Sequence, residues 1–200
     1  MSPINYIDKI FYINLSQRTD RRDRVEKTLS IFPKDKIERF EAIINIDGAI
    51  GCLQSHIRVL DLAISRSYNN YLVIEDDAVW NEETKKSWEL LLNLLHNPYD
   101  VIMLGTVFAK HTDDFRLLSG QTSTGYIVSN SYFSRLKQNF TESLDGLIKT
   151  GNSSVYALDQ YWKRLQEKDN WRCVIPSLLI QSPDFSNIEN KVVDYTHLFS

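Results

Sequence analysis

The chain has 200 residues, of which 42% are hydrophobic and 24% charged, and its net charge is -3. That length suits one domain with a sizeable buried core, and the proportions are those of a soluble globular protein. The slight acidity argues against a nucleic-acid surface, since the one basic cluster, Arg18 to Arg24, is interleaved with Asp20 and Asp23. Met1 to Tyr12 has neither a basic start nor a long apolar centre, so no signal peptide is expected, and no apolar run approaches the length of a membrane span. Cys52 and Cys173 are too few for a disulfide framework and are expected to be free buried thiols. The reading is a soluble, cytoplasmic protein, a monomer or weak dimer.

Lys9 to Leu15 is a β-rich run and is predicted as the first strand. Ser16, Thr19 and Asp20 are candidate caps for a helix whose stripe is Val25, Leu29 and Phe32, and Pro33 stops it. A strand-turn-helix opening is where the base and ribose of a nucleotide sit. The turn lacks a glycine-rich fingerprint, which argues against a dinucleotide or P-loop site. Arg18, Arg21 and Arg22 stand where one or two could meet a diphosphate. Ile37 to Ile44 is predicted as a shorter strand, and residues 48–51 as a turn. From Cys52 the pattern is helical, with Leu53, Ile57, Leu60 and Ile64 on one face and Cys52, His56, Val59 and Ala63 beside it. Ser55 and His56 fall in the first turns, where free N–H groups favour an anion. A lone histidine beside an apolar face is more often structural.

The centre of the chain is the run Tyr71-Leu72-Val73-Ile74-Glu75-Asp76-Asp77. A short apolar run after Asn69-Asn70 reads as a buried parallel strand, and ligands of open α/β sheets bind beyond the carboxyl ends of such strands. Consecutive carboxylates there repel one another unless a cation joins them. Continued strand alternation would point Glu75 and Asp77 one way and Asp76 the other, giving an acid-x-acid pair suited to Mg²⁺ or Mn²⁺.

Beyond it, Asn81 is predicted to cap a helix ending near His96, and Tyr99 to Leu104 to form a strand. Residues 108–120 read as a loop or hairpin, and Thr124 to Ser129 as a strand. Asn130 opens a helix carrying Phe133, Leu136 and Phe140, and residues 141–154 read as mixed. Asp159 is a candidate cap for a helix over Gln160 to Lys168. Trp171 to Gln181 is predicted as the last strand, and the tail as irregular. Alternating strands and helices give an α/β fold with a central, mainly parallel sheet flanked by helices.

Four segments together resemble glycosyltransferase family 25. They are Phe11 to Leu15 with Arg18 and Asp20-Arg21-Arg22; Gly51-Cys52-x-x-Ser55-His56; Leu72 to Asp77; and Gly125 to Ser129 with Asp159, Pro176 to Leu178, Gln181 and Ser186. The resemblance implies a single GT-A-type domain over residues 1–200, with a Rossmann-like nucleotide- and metal-binding half (1–105) and an acceptor-side half (106–200). It implies a nucleotide-sugar donor, UDP-linked, a Mn²⁺ (or Mg²⁺) ion, and a glycan or glycoprotein acceptor. Ser55 and His56 then become donor-site residues, with Ile13, Asn14, Leu15, Arg18 and Arg21 around the base, ribose and diphosphate. Asp77 is expected to bind the metal directly and Glu75 through ribose or water, while Asp76 supports the site or reaches the sugar. Asp194 or His197 is a further candidate for a metal or diphosphate contact, His197 as the metal ligand, and Asp159 is the candidate general base. The link from Phe40 to Gly51 is shorter than in many relatives and residues 104–120 are compact, so acceptor identity does not carry over, nor does stereochemistry.

A catalytically silent nucleotide-sugar-binding module is the alternative, which three clustered acids argue against. A glycoside hydrolase needs carboxylates on opposite sides of the scissile bond, unlike two on one strand.

Overall fold

The structure, a computed structural model, describes residues 3–81, 85–186 and 191–199. The expected opening appears as β1 (Lys9–Asn14) and α1 (Thr19–Thr28). There follow β2 (Ile37–Glu41), α2 (Gly48–Ser65), β3 (Asn70–Glu75), β4 (Ala78–Trp80), α3 (Lys85–His96) and β5 (Val101–Met103). A hairpin of β6 (Val107–His111) and β7 (Leu117–Gln121) leads to β8 (Gly125–Ser129) and α4 (Phe133–Thr150). Three single turns come next, α5 (Ser153–Tyr156), α6 (Leu158–Tyr161) and α7 (Lys163–Gln166), and then β9 (Trp171–Cys173), β10 (Leu179–Gln181), β11 (Asp184–Ser186) and β12 (Lys191–Val193). Residues 82–84, between the expected cap Asn81 and α3, lie outside the described residues.

The main sheet has the order β2-β1-β3-β8-β5-β9. All its pairings are parallel except those of β8, which runs antiparallel to both neighbours. Side chains alternate across it. Ile10, Tyr12, Leu72 and Ile74 pack with Val25 of α1, Leu29 just beyond its end and Leu91 of α3. Phe11, Ile13, Tyr71 and Val73 pack with Leu53 and Leu60 of α2 and Phe133 and Phe140 of α4. Burial on both faces is why these strands read as unbroken apolar runs. The pairing also gathers the site: β1, β3 and β5 end at one edge, and β8 begins there.

Several local expectations are corrected. Residues 48–51 are the first turn of α2, because the Asp47 carboxylate caps it, accepting from Ala49 N at 2.9 Å. The helix also packs against α4, so its buried face is turned: Ser55, His56 and Val59 are buried while Ile64 is 39% exposed. α4 continues through residues 141–150, burying Ser143 and Leu147, until Gly151 ends it with φ 64° and donates to Leu147 O. Asp159 caps nothing; it lies inside α6. The expected last strand is two, β9 and β10, with Pro176, which has no N–H to donate, between them. β10 leaves the sheet to pair with β4, and the tail forms the β11–β12 hairpin.

Candidate active site

A cavity of about 960 Å³ opens at the edge where β1 and β3 end. Ile13, Leu15, Arg21, Ser55, His56, Glu75, Asp76, Asp77 and Asp159 all line it. Asn14, Arg18 and His197 do not.

The acidic triplet does not continue the strand. β3 stops at Glu75 and the chain turns, so the expected alternation fails, and the acids meet different sets of partners with Arg21 shared by the two aspartates. Both oxygens of Asp76 are bonded: Asn14 Nδ2 donates to Oδ2 at 2.7 Å and Arg21 Nη1 to Oδ1 at 2.9 Å. It thus braces β1 and α1 against the end of β3. Asn14 serves the same end from β1, 1% exposed, and accepts from Arg39 Nε at 3.0 Å. Glu75 accepts from Ser123 Oγ at 2.6 Å and Gln181 Nε2 at 3.2 Å. His56 Nε2 stands 3.8 Å from Glu75 Oε1, close enough for charge attraction but too far for a hydrogen bond. Asp77 Oδ2 accepts from Arg21 Nη1 at 3.2 Å, while Asp77 Oδ1 is buried with no hydrogen-bond partner.

These surroundings set the charges. Burial, joined by the charge of Glu75 and opposed by Arg21, pushes the Asp77 carboxyl up to about 7. Burial also works against ionised Glu75, but His56, Ser123 and Arg21 outweigh it and keep that carboxyl below its ordinary range. The pair thus carries its second negative charge only against resistance. The free Asp77 oxygen beside Glu75 is an all-oxygen set of the kind that Mn²⁺ or Mg²⁺ takes, so these residues fit a hard dication. Arg21 is the resident countercharge. It is 9% exposed, and besides both aspartates it reaches Asp184 at 3.3 Å and donates to Phe185 O at 3.1 Å.

Three expected site residues are placed otherwise. Arg18 ties the start of α1 to Asp20 and to Asp184 on β11, away from the cavity wall. Ser55 is on the wall, but its hydroxyl donates to Gly51 O at 2.7 Å and accepts from Ile43 N at 2.8 Å, so it pins the 42–46 loop. His197 is exposed and is not among the residues that line the cavity. Asp159 accepts from Thr122 N at 3.2 Å and Gln160 Nε2 at 3.3 Å. Burial raises its pKa, with the charge of Glu75 adding and Thr122 N–H opposing. Thr122 holds φ at 79°, a left-handed conformation that a β-branched residue rarely adopts.

Sequence reasoning missed Ser123, Thr122 and Asp184. The available signal for the first two was their place just before β8, since the antiparallel register bonds Glu75 N to Thr124 O at 3.0 Å. Asp184 carried no local signal.

Gly51 has a packing role. A Cβ built there would lie 2.5 Å from Ile43 O, so only glycine lets the 42–46 loop press on α2 and form that wall. Gly51→Ala gains about 1 kcal/mol of helix propensity, but a backbone clash cannot rotate away. We expect a net loss of about 1–3 kcal/mol in urea denaturation; an unchanged midpoint would show that the loop yields freely.

A profile of glycosyltransferase family 25 (LPS biosynthesis protein) matches residues 46–151. That stretch holds the Gly51-to-His56 and Glu75-Asp76-Asp77 motifs, whereas β1, Asp159 and Pro176 to Leu178 fall outside it. Human procollagen galactosyltransferase 2 is 32% identical over an alignment of 118 residues, which covers 45% of this chain and 18% of that protein. The chain thus spans less than a fifth of that relative's length. A glycosyltransferase involved in glycosylation of the major capsid of PBCV-1 superposes with a TM-score of 0.54 at 11% identity, over 91% of this chain and 95% of that one. At that identity it shares the fold alone, which is of the GT-A type. With more than half of its residues matched, both motif segments among them, the chain belongs to glycosyltransferase family 25.

Proposed function

We propose that this chain transfers a sugar from a nucleotide-sugar, a UDP-linked hexose or deoxyhexose, to a hydroxyl of a glycan or glycoprotein, with Mn²⁺ or Mg²⁺ held by Asp77 and Glu75. The observation that carries this reading is Asp77 Oδ1, buried and unpartnered beside Glu75 on the wall of a cavity large enough for such a donor. Leaving a buried carboxylate oxygen unsatisfied is costly, and a dication with a diphosphate removes that cost. A cation bound there supplies positive charge against the departing diphosphate.

The chain's own residues do the rest. Ile13 and Leu15 line the side of the cavity nearest β1, where the base and ribose would lie. Arg21 holds Asp76 and Asp77 in place. In an inverting transfer the acceptor oxygen bonds to the anomeric carbon as the bond to the diphosphate oxygen breaks. The nucleoside diphosphate leaves, and the acceptor's proton passes to Asp159. A half-buried carboxylate of raised pKa, as Asp159 is, makes a better base near neutral pH than a fully exposed one. UDP-galactose is the first donor to try, because the human relative is by name a galactosyltransferase.

A thermal-shift screen of UDP, GDP and CMP with their sugars, with and without Mn²⁺, tests nucleotide class and metal dependence together. Stabilisation by UDP that requires Mn²⁺ is expected; equal response to all nucleotides, or none, would overturn the reading. Asp159→Asn is expected to lower kcat by roughly 100-fold or more while UDP affinity stays put. A variant retaining parental kcat would remove Asp159 as the base.

A further inference from the structure

The transfer proposed above leaves a pair on α2 without a role. Cys52 and His56 are four residues apart, so they share a helix face one turn apart. Cys52 Sγ, a His56 ring nitrogen and a Glu75 carboxylate oxygen lie within 4.8 Å of one another on the cavity wall. His56 is 1% exposed, yet its Nε2 has no hydrogen-bond partner. Its Nδ1 lies 2.7 Å from Tyr126 Oη. With Nδ1–H donating to Tyr126, loss of any proton from Nε2 leaves a lone pair there for a cation lying between His56 and Glu75. An imidazole anchored through one nitrogen and unpartnered at the other is the arrangement of a metal-bound histidine.

The donor set selects the ion. One sulfur, one imidazole and one carboxylate suit Zn²⁺, which takes three protein ligands and leaves a fourth position open; Mg²⁺ and Mn²⁺ do not favour sulfur. Without a metal, burial and the charges of Glu75, Asp159 and Asp77 push the Cys52 thiol well up. The same negative surroundings attract a dication, which inverts the preference and stabilises the thiolate, the thiol proton passing to solvent.

We propose that Cys52, His56 and Glu75 form a binding site for Zn²⁺ or a similar thiophilic dication, with its open position facing the cavity. Because Glu75 is shared, filling this site withdraws an oxygen from the Mn²⁺ position; that consequence rests on the proposed function, whereas the site itself does not.

The test is titration of Co²⁺, a coloured stand-in for zinc, into the full chain under a non-thiol reductant. A thiolate-to-cobalt band in the near ultraviolet is expected, saturating at one equivalent and abolished by Zn²⁺. Cys52→Ser should lose the band. Tyr126→Phe, which removes only the anchor of His56, should weaken binding roughly 10- to 100-fold. In the unmodified chain, Zn²⁺ should also protect Cys52 from alkylation, a readout independent of how any variant folds. Asp77→Asn should keep the band while losing Mn²⁺-dependent nucleotide binding, which separates failure of this site from failure of the transferase reading. Absence of the band in the parent chain, its survival in Cys52→Ser, or alkylation of Cys52 unaffected by Zn²⁺ would overturn the assignment.

Discussion

Replacing Asp77 by asparagine is expected to abolish Mn²⁺-dependent UDP binding and, at the same time, to make the metal-free protein more stable above pH 7. Both results come from one carboxylate. Its pKa in the folded chain is about 7, against an ordinary value of 3.8. Between those values the native state holds a proton that the unfolded chain has released, so metal-free stability falls as pH rises through that window. The loss is complete above pH 7 and amounts to up to about 4 kcal/mol. Asparagine has no proton to lose, so its advantage over the parent should open from about pH 4 and level off above pH 7. The same proton competes with a cation, so the parent's Mn²⁺ affinity should drop as pH is lowered below 7. Thermal melts of both proteins at pH 5 and pH 8, with and without Mn²⁺, read all of this. Identical melting temperatures for metal-free parent and variant at pH 8 would show that the carboxylate is solvated, and a Mn²⁺-induced shift retained in the variant would show that the ion sits elsewhere.

Loss of Arg21 should have the opposite sign. Its guanidinium is hydrogen-bonded or ion-paired to Asp76, Asp77 and Asp184 and donates to a backbone carbonyl, all within 3.3 Å. Removing one partner of a buried ion pair leaves the other charge uncompensated, at about 3–5 kcal/mol. Arg21→Met keeps length and apolar stem and deletes only the charge and its donors, so it should lose that much at pH 8. At pH 5 the loss should be smaller, because Asp77 is then protonated. Arg21→Lys should recover part of it, since one ammonium cannot reproduce a planar fork of donors. Urea denaturation at both pH values is the measurement; a loss below about 1 kcal/mol at pH 8 would mean that water, not burial, governs the cluster. Exposed pairs such as Arg22–Glu26 should contribute far less.

Arg21 also shows where sequence reading reached its limit. It was legible as one of three arginines facing a diphosphate, but nothing local separates it from Arg18, three residues earlier on the same opening of α1. β11, more than 160 residues along, delivers Asp184 and Phe185 O to both of them; the distinction arises because Arg21 Nη1 also reaches Asp76 and Asp77 at the end of β3. The Gly51-to-His56 motif behaves similarly. Its residue types pointed to the donor site, yet Gly51 and Ser55 act on the Ile43 backbone and only Cys52 and His56 present side-chain chemistry to the cavity.

What the sequence determined by itself is the sheet and the location of its acids. Strands buried on both faces must be apolar throughout, so β1 and β3 announce themselves, and charges directly after such a run fall at the sheet's edge whatever else the chain does. What only the tertiary structure decided is which of those charges remains available. Asp76 has both oxygens bonded, by Asn14 and Arg21, 62 and 55 residues away, while Asp77 keeps one oxygen free. Local periodicity reports which way a side chain faces within a regular element. Once β3 ends at Glu75, partners brought by distant strands set each carboxylate's hydrogen bonds, burial and charge.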